Sequence, residues 1–403
     1  MATLDILKRT TTRPTWAEVS LSALTHNFEL IRDFVAPHAT VCAVVKCDAY
    51  GHGAAECARA LEDVGAEWFG VTSADEGIAL RQAGIRGRIL LMSGIWRGEA
   101  EAAVENNLTP AVWSAEQIAD LNSAAERMGK SSFPVHIEVD TGMSRQGVQP
   151  HRLAVLLEAA RRAKLICIEG MHSHLASSEV VDAADVNEQI ASYQQALAQL
   201  AAAGIRPACL HLANSAAILS HTKAWRDLDR SGNRPTILVR PGISLYGYYL
   251  PFVDSGSHET NLDALPVQPV LSWKTRIIDI RDVPAGQGIG YNYAHVTSAP
   301  ARIATLAVGY GDGLNRSLSN RGRVLVRGEY AAIVGKVSMD VTTIDVTSIP
   351  NPEIGDEVVL LGGQQDRCIS AWEMARTIDT IPYEVLCGIG KRVPRRYGQM
   401  HQR

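Results

Sequence analysis

The sequence predicts an α/β protein in which a (β/α)8, TIM-like barrel is followed by a mainly antiparallel β C-terminal domain. From Thr40 to Arg240, short apolar segments alternate with longer amphipathic ones, and eight such repeats are typical of this barrel. After a polar loop at Pro251–Leu265, the apolar segments become short, β-branched and separated by glycines, which favours an antiparallel sheet. The length of 403 residues suits one large barrel and a smaller second domain.

The predicted barrel strands are short runs of apolar, often β-branched residues that lack helical spacing. Val41–Val45, the first of them, is apolar throughout, as expected of a parallel strand that is buried on both faces. In chain order the predicted strands are Val41–Val45, Trp68–Val71, Arg88–Met92, Thr109–Val112, Val135–Val139, Leu165–Met171, Cys209–Leu212 and Ile237–Val239.

The segments between these strands are rich in Ala, Leu, Glu and Arg, and they are predicted to be helices. In the last of them, Ile190 and Tyr193 recur at helical spacing, and Gly204 follows as a stop signal. The predicted helices include Ser22–Phe34, Ala54–Val64, Ala74–Ala83, Ser114–Met128, His151–Ala163 and Asn187–Ala203.

The second domain is predicted to contain six strands and one helix, Ser370–Ile378. Trp16–Leu21 alternates polar and apolar residues, and we expect it to form a strand that packs on this domain. The expected divisions are therefore an N-terminal segment (1–20), the barrel (21–255) and the β domain (256–403). The six strands are Val270–Ile280, Ala301–Val308, Gly322–Val326, Tyr330–Val334, Met339–Val346 and Glu357–Leu361.

Composition narrows the class of protein. A hydrophobic content of 46% with 20% charged residues is typical of a soluble globular protein, and no apolar run is long enough to span a membrane. The net charge of −4 argues against nucleic acid and anionic membranes as partners. The seven cysteines form no metal-like pairs, and Met1–Pro14 lacks the apolar core of a secretory signal, so we expect a cytoplasmic protein.

Unusual polar residues follow the C-terminal ends of five predicted strands. Each one alone has an ordinary structural explanation, such as a snorkelling lysine, an arginine in a structural ion pair or a core histidine. Because the C-terminal ends of barrel strands meet at one mouth, five such positions together favour a ligand site. In strand order they are Lys46 and Tyr50, Arg145, His174, Asn214 and Ser215, and Arg240, Gly242 and Ile243.

The chemistry of this set suits a phosphorylated aldehyde. A partly desolvated lysine such as Lys46 can form a Schiff base with a carbonyl. Tyr50, the Ser215 hydroxyl and the amides of Gly242 and Ile243 would make a neutral cradle for a phosphate. Pyridoxal 5′-phosphate carries both groups. A metal site is not expected, because the two histidines of residues 172–174 have no complete ligand set around them.

Several motifs occur in one order along the whole chain. Residues 44–53 read Val-Val-Lys-x-x-Ala-Tyr-Gly-His-Gly. The others are Val139-Asp140-Thr141-Gly142-Met143-x-Arg145-x-Gly147, His172-Ser173-His174, Asn214-Ser215, Arg240-Pro241-Gly242-Ile243, Tyr246-Gly247, Gly290-Tyr291, Gly309-Tyr310-Gly311-Asp312-Gly313, Ser338-Met339-Asp340, Tyr383-Glu384 and Arg392-Val393-Pro394-Arg395. Together they resemble the bacterial alanine racemases, which are fold-type III pyridoxal phosphate enzymes.

The resemblance implies two catalytic residues. Lys46 would carry the cofactor and act as the base for the D-substrate, and Tyr291 of a second subunit would act on the opposite face for the L-substrate. Arg240 would contact the pyridine nitrogen, with His174 close by. Arg145 would lie beside the phenolic oxygen of the cofactor and the substrate carboxylate.

The resemblance also implies the residues that bind cofactor and substrate. The cofactor, and chiefly its phosphate, would be held by Tyr50, Asn214, Ser215, Gly242, Ile243 and Tyr383. The Met339 amide would bind the substrate carboxylate, with Tyr291 also lining the substrate site. The entrance would be lined by Tyr310, Asp312 and Arg316.

One position departs from the family pattern. Many members have a carbamylated lysine two residues before the aspartate of the Asp-Thr-Gly-Met motif, and its negative charge positions the arginine that corresponds to Arg145. Here the position is Glu138, which supplies a permanent carboxylate on a shorter side chain. We hypothesise that Glu138 orients Arg145 directly or through water.

The resemblance implies a homodimeric alanine racemase that shares its active sites between subunits and supplies D-alanine for peptidoglycan. A racemase of the same fold that acts on serine, lysine or a broad range of amino acids is the alternative. A lyase or aldolase on the same barrel is less consistent with Tyr291 and the lack of a metal site. A non-catalytic pyridoxal phosphate-binding protein would typically lack the second domain.

Overall fold

The computed structural model describes residues 13–228, 234–260 and 262–398. Residues 1–12, which make up most of the predicted N-terminal segment, lie outside the described residues. The described chain divides into two compact units. One unit contains residues 23–268, and the other contains residues 13–22 together with 269–398.

Eight parallel strands close into a barrel in the first unit, and this confirms the predicted fold class. Each strand pairs with the next along the chain, and the first closes on the eighth through Thr40–Leu238 and Val41–Val239. The predicted strands are all present, with ends that differ by at most two residues. Their bounds are Thr40–Val44, Trp68–Val71, Arg88–Leu91, Leu108–Val112, Phe133–Glu138, Ile166–His172, Cys209–Asn214 and Thr236–Arg240.

Two helices of this unit begin at serine N-caps. Ser73 accepts a hydrogen bond from the Glu76 amide, and Ser114 forms a capping box with Gln117. The predicted helices are present, and two short ones, Glu99–Glu105 and Ala217–Ser220, were not predicted. The bounds of the others are Leu21–Val35, Ala54–Asp63, Ala74–Gln82, Ala115–Arg127, Leu153–Arg162 and Ala184–Ala202.

The second unit is built on a nine-stranded, mainly antiparallel sheet. Trp16–Ser20 pairs antiparallel with the long strand Leu271–Val283 and parallel with Arg395–Gly398. The other strands of this sheet are Ala301–Leu306, Arg323–Val326, Glu329–Ala332, Thr342–Asp345, Glu357–Gln364 and Arg367–Ile369. A two-stranded sheet (Gly288–Ile289 with His295–Val296) and two helices (Ala371–Thr377 and Pro382–Cys387) complete the unit.

Met339 lies outside the strand that was predicted to begin with it, because the strand starts only at Thr342. The carbonyls of Ser338 and Met339 accept hydrogen bonds from a loop, at Tyr310 and Gly311, and not from a strand. The pattern of this segment therefore reflects a partly exposed loop followed by a short strand. No helix in the described part of the chain combines the length and the apolar content that are needed to cross a membrane.

Candidate active site

Lys46 follows the first barrel strand and opens a strained turn at the barrel mouth. The next four residues, Cys47 to Tyr50, all have φ values of +53°. For residues other than glycine this left-handed conformation costs roughly 1–2 kcal/mol each. Side chains hold the turn: the Cys47 amide donates to Glu76 (2.6 Å), and Asp48 accepts from the Ala54 amide (2.7 Å). Lys46 and Tyr50 are therefore both carried by one short turn at the C-terminal end of the first strand.

Tyr50, Ser215 and Gly242 lie close together, as expected if they form the predicted phosphate cradle. The Gly242 amide donates to the Ser215 hydroxyl oxygen at 2.8 Å, and the Ser244 hydroxyl lies 3.0 Å from it. A Cβ atom at Gly242 would lie only 2.3 Å from the Tyr50 hydroxyl, so this approach requires glycine. Ile243 is buried and begins a short 3₁₀ turn directly after Gly242. These residues contribute hydroxyls and backbone amides, and none of them carries a carboxylate.

Asn214 supports this cradle from the end of the seventh strand. Its side-chain NH₂ donates to the Ser178 hydroxyl (2.9 Å), and its Oδ1 accepts from the Ala217 amide (3.0 Å). Both bonds fix the turn that carries Ser215. In this structure Asn214 therefore acts on the shape of the cradle.

Arg240 is a buried guanidinium with its donors fixed on several sides. Its Nη2 donates to the carbonyls of Ser173 (2.7 Å) and Leu212 (3.2 Å), and its Nη1 lies 2.9 Å from His211 Nδ1. The same Nη2 lies 3.4 Å from His174 Nδ1. Every one of these hydrogen-bond partners is neutral, and the buried Glu138 carboxylate, whose charge raises the pKa of Arg240, is not among them.

The contact with His211 fixes the tautomers of two histidines. An arginine can only donate, so His211 Nδ1 must be the acceptor and its proton must lie on Nε2. That Nε2 is 2.8 Å from His136 Nδ1 and donates to it. His136 Nε2 then lies 3.5 Å from Glu169, which also pairs with Arg88. A defined series of donors and acceptors therefore runs from Arg240 through the barrel interior.

His174 is held in its neutral form. Burial, followed by the charges of Arg240, Arg145 and Lys46, lowers its pKa to about 3. The three cations therefore lie close enough to His174 to act on its charge, as expected of residues that share one site. Burial likewise lowers the pKa of His211 and that of His136, which keeps the series of histidines uncharged.

Glu138 is the last residue of the fifth strand, and its side chain is 3% exposed. Its carboxylate accepts a 2.7 Å hydrogen bond from Gln146, which also donates to the Met92 carbonyl at 2.9 Å. Burial raises the pKa of Glu138 to about 7, although the hydrogen bond from Gln146 and the charges of Arg240 and Arg145 act against this rise. Arg145 is exposed and lines one crevice with Glu138, Gln146 and His174.

The candidates of the second unit lie mostly on its surface. Tyr291 is 68% exposed, Met339 is 54% exposed and Tyr310 is 43% exposed. Arg316 is also exposed, and Tyr383 lies in the first turn of the helix Pro382–Cys387. Asp312 differs from all of them, because its carboxylate is fully buried between the guanidinium groups of Arg13 and Arg392.

Sequence reasoning missed the residues that support the site. His211 lies inside an apolar strand, where a histidine gives no signal that separates a core residue from a functional one. Gln146 and Arg13 stand in loops and belong to no chemical motif. Only their contacts with Glu138 and with Asp312 reveal them.

The residues of the barrel mouth fit pyridoxal 5′-phosphate. The lack of a side chain at Gly242 lets the Tyr50 hydroxyl approach the backbone, so that it lies beside the residues that carry the Ser215 hydroxyl and the Gly242 amide, groups that suit a phosphate. Lys46 suits the aldehyde, and Arg240, whose guanidinium is held by hydrogen bonds to His211 and backbone carbonyls, suits the pyridine nitrogen. Among the described residues, no group of three or more histidine, cysteine or acidic side chains is arranged to hold a metal ion.

Comparison with known proteins gives one consistent result. Residues 19–250 match the alanine racemase N-terminal domain, and residues 270–397 match the alanine racemase C-terminal domain. An alanine racemase of Halothermothrix orenii is 41% identical over 386 residues, which cover 96% of this chain and 97% of that protein.

Solved structures agree with this result. The alanine racemase of a D-cycloserine-producing Streptomyces lavendulae superposes with a TM-score of 0.87 at 32% identity, over 96% of this chain and 98% of that one. An alanine racemase from Bartonella henselae, solved with covalently bound pyridoxal phosphate, gives a TM-score of 0.81 at 30% identity, over 96% and 99% of the two chains. With both domain families matched in order, this chain belongs to the alanine racemase family.

Proposed function

We propose that this protein is a pyridoxal phosphate-dependent alanine racemase that interconverts L-alanine and D-alanine through two bases, Lys46 and Tyr291. The observation that supports the proposal lies at the C-terminal ends of the barrel strands, where the Gly242 amide donates to Ser215, Tyr50 approaches Gly242, and Arg240 hydrogen-bonds to histidines and backbone carbonyls. The related structure with covalently bound pyridoxal phosphate supports the choice of cofactor.

When bound, pyridoxal phosphate supplies an aldehyde that joins the substrate amine and a ring that delocalises the charge left when the α-proton departs. Tyr50, Ser215, Gly242, Ile243 and Tyr383 are the proposed phosphate ligands. They would provide neutral hydroxyl and amide donors, which can hydrogen-bond a phosphate without placing another negative charge beside it.

Arg240 would set how strongly the ring of a bound cofactor attracts electrons. Burial lowers the pKa of Arg240, but a guanidinium starts so high that it keeps its proton near neutral pH. It can therefore donate a hydrogen bond to the pyridine nitrogen without transferring the proton. Such a bond would restrain charge delocalisation into the ring and disfavour side reactions such as transamination, and it would leave proton removal at the α-carbon to the two proposed bases.

A racemase must remove a proton from one face of the α-carbon and return one on the other, which requires two bases on opposite sides. Lys46 Nζ is the proposed base for D-alanine, and the Tyr291 hydroxyl is the proposed base for L-alanine. Arg145 and the Met339 amide would hold the substrate carboxylate, so that the α-carbon stays between the two bases.

We further propose a homodimer in which Tyr291 and Met339 serve the site of the other subunit. Support comes from the exposure of both side chains, 68% and 54%, since tyrosine and methionine at this level offer apolar surface to a partner. We propose that the protein works in the cytoplasm and supplies D-alanine for the synthesis of peptidoglycan.

The test measures racemisation of L- and D-alanine by the purified holoenzyme, beside Tyr291→Phe and a panel of other amino acids. We expect Tyr291→Phe to abolish α-proton exchange from L-alanine in heavy water and to spare exchange from D-alanine. Tyr293→Phe is the matched control, because Tyr293 is 69% exposed on the same turn and has no proposed role. If the cofactor-loaded protein does not turn over alanine but racemises serine or lysine, the proposed substrate is wrong and the proposed racemase chemistry is retained.

A further inference from the structure

Two loops of the second unit face each other through their backbones. The Tyr310 amide donates to the Ser338 carbonyl at 2.9 Å, and the Gly311 amide donates to the Met339 carbonyl at 2.9 Å. The first loop is Gly309–Gly313, and the second, residues 338–340, contains the proposed carboxylate-binding amide of Met339. These two bonds hold the carbonyls on both sides of Met339.

The bond to Ser338 also fixes the direction of the Met339 N–H. A peptide unit is planar and trans, so the Ser338 carbonyl and the Met339 N–H belong to one rigid plane and point in opposite directions. Because Tyr310 holds the carbonyl towards the first loop, the N–H points away from it. Among the described residues, no acceptor for the Met339 N–H is present.

The close approach depends on two glycines. A Cβ at Gly309 would lie 2.3 Å from the Ser338 carbonyl oxygen and 2.5 Å from the Met339 carbonyl carbon. A Cβ at Gly311 would lie 3.0 Å from the Met339 carbonyl oxygen. Any side chain at Gly309 would therefore push the second loop away.

Asp312 links the two loops through a pair of arginines. Its buried carboxylate accepts from Arg13 Nη2 (2.8 Å), Arg392 Nε (2.8 Å) and the Gly309 amide (2.9 Å). Arg13 Nη2 also donates to the Asp340 carbonyl (2.6 Å). Arg392 Nη2 donates to the Asp340 carboxylate (2.6 Å) and the Met339 carbonyl (3.3 Å). Each arginine thus spans from Asp312 to the second loop, which a lysine with one compact ammonium could not do as well.

We propose that Asp312 is a positioning residue which, through Arg13 and Arg392, holds the Met339 peptide so that its N–H is presented to the substrate carboxylate. Asp312 would then support the second loop from a buried position and would not line the entrance. Arg13 would be one of the two links between Asp312 and that loop. The inference rests on the proposed function, in which the Met339 amide binds alanine.

The ionisation of Asp312 is consistent with its place between the two arginines. Burial alone would raise the pKa of Asp312, but hydrogen bonds from Arg392 and Arg13 lower it below its usual range, so the carboxylate stays ionised. Removing that charge leaves two arginines without their shared partner. The second loop then loses the links that determine its position.

The test compares Asp312→Asn with Asp356→Asn in the holoenzyme. Asp356 is a matched control, because it accepts from Arg327 (2.7 and 3.0 Å) and from the Glu353 amide (2.9 Å) in the same unit but contacts neither loop. We expect Asp312→Asn to raise KM for both alanine enantiomers roughly tenfold or more, with a smaller fall in kcat and unchanged cofactor content. Asp356→Asn should leave KM unchanged.

A second readout needs no substrate. Hydrogen–deuterium exchange at the Tyr310 and Gly311 amides reports whether the two loops remain bonded, and we expect faster exchange in Asp312→Asn only. If Asp312→Asn does not fold, Arg13→Gln carries the same test, because it removes one link and leaves the Asp312–Arg392 pair intact. It should raise KM less and still accelerate exchange.

The outcomes separate the two proposals. A wild-type holoenzyme that does not turn over alanine overturns the proposed function. An active wild type beside an Asp312→Asn variant with unchanged KM overturns the positioning role alone. Equal KM changes in Asp312→Asn and Asp356→Asn would also overturn it, because a general loss of stability would then explain both.

Discussion

The Gln146 side-chain amide donates a 2.7 Å hydrogen bond to the buried Glu138 carboxylate. The two residues close the loop between the fifth barrel strand and Val148, whose amide bonds back to the Glu138 carbonyl at 2.8 Å. Arg145 immediately precedes Gln146, so the bond anchors the backbone that carries the arginine. The structure thus offers a route from Glu138 to Arg145 through Gln146, whereas the sequence suggested only a direct or water-mediated contact.

Glu138→Gln should lower kcat/KM for alanine roughly tenfold, which corresponds to about 1.4 kcal/mol. The glutamine can still accept from Gln146 and keep the loop in place, so the expected loss comes from removing a negative charge that acts on Arg145. Steady-state kinetics in both directions is the measurement. Glu179→Gln is a suitable control, since Glu179 is another largely buried glutamate whose pKa burial raises. Unchanged kinetics in Glu138→Gln would rule out an orienting role for the Glu138 charge, because the hydrogen bond from Gln146 is retained in this variant.

The stability of the protein should carry a pH signature of Glu138. Burial raises its pKa from an ordinary value of 4.5 to about 7. Between these two values the folded protein retains a proton that the unfolded chain has lost, so the contribution of Glu138 to stability falls as pH rises. Across this window, the free energy of unfolding of the wild type should decrease relative to Glu138→Gln by on the order of 3 kcal/mol.

Urea unfolding of both proteins at several pH values between 4.5 and 7 measures this difference. A difference that does not vary with pH would mean that Glu138 titrates in the folded protein as it does in the unfolded chain. A difference that grows in favour of the wild type would reverse the predicted sign and indicate an ionised Glu138 with a strong cationic partner.

The barrel and the residues at its mouth could be predicted because their signals are local. A parallel strand buried on both faces is an apolar run, and the residue that follows it reaches the mouth through the geometry of the barrel. Lys46, Ser215 and Arg240 were therefore expected at one site from their positions after strands. For these three residues, the apolar pattern of the preceding strand was enough to predict their place in the barrel.

The supporting residues could not be predicted, because their roles depend on contacts distant in sequence. His136 meets His211 across 75 positions, and Arg13 meets Asp312 across 299. Met339 was assigned to a strand because its segment is apolar, although a facing loop accounts for its hydrogen bonds. Sequence pattern predicts which residues are buried, and it does not identify their hydrogen-bonding partners.

Gly242→Ala should weaken cofactor binding. The added Cβ would lie 2.3 Å from the Tyr50 hydroxyl, and the Tyr50 ring packs 4.8 Å from that of Tyr246, which limits its movement. We expect the affinity for pyridoxal phosphate to fall at least roughly tenfold, or about 1.4 kcal/mol. Titration of the apoprotein with pyridoxal phosphate, followed by absorbance, is the measurement. Gly398→Ala is the control, because a Cβ there meets no atom within 4 Å. Equal affinities in the two variants would place the phosphate elsewhere.

His136 should affect cofactor binding although it lies two hydrogen bonds away from Arg240, the proposed partner of the pyridine nitrogen. Its Nδ1 accepts from His211 Nε2, and His211 Nδ1 accepts from Arg240, so loss of the first acceptor leaves a buried donor unsatisfied. His136→Leu should lower the free energy of unfolding by roughly 1–3 kcal/mol and weaken pyridoxal phosphate binding.

The Asn variant at the same position separates hydrogen bonding from packing. In His136→Asn, the side-chain oxygen can occupy the position of Nδ1 and accept from His211, so cofactor affinity should remain close to that of the wild type. Leucine and asparagine have similar reach but differ in this acceptor. Urea unfolding and cofactor titration of both variants measure the effect. If His136→Leu and His136→Asn lose the same affinity, the histidine series does not hold Arg240 in place, and the backbone carbonyls of Ser173 and Leu212 suffice to fix the guanidinium.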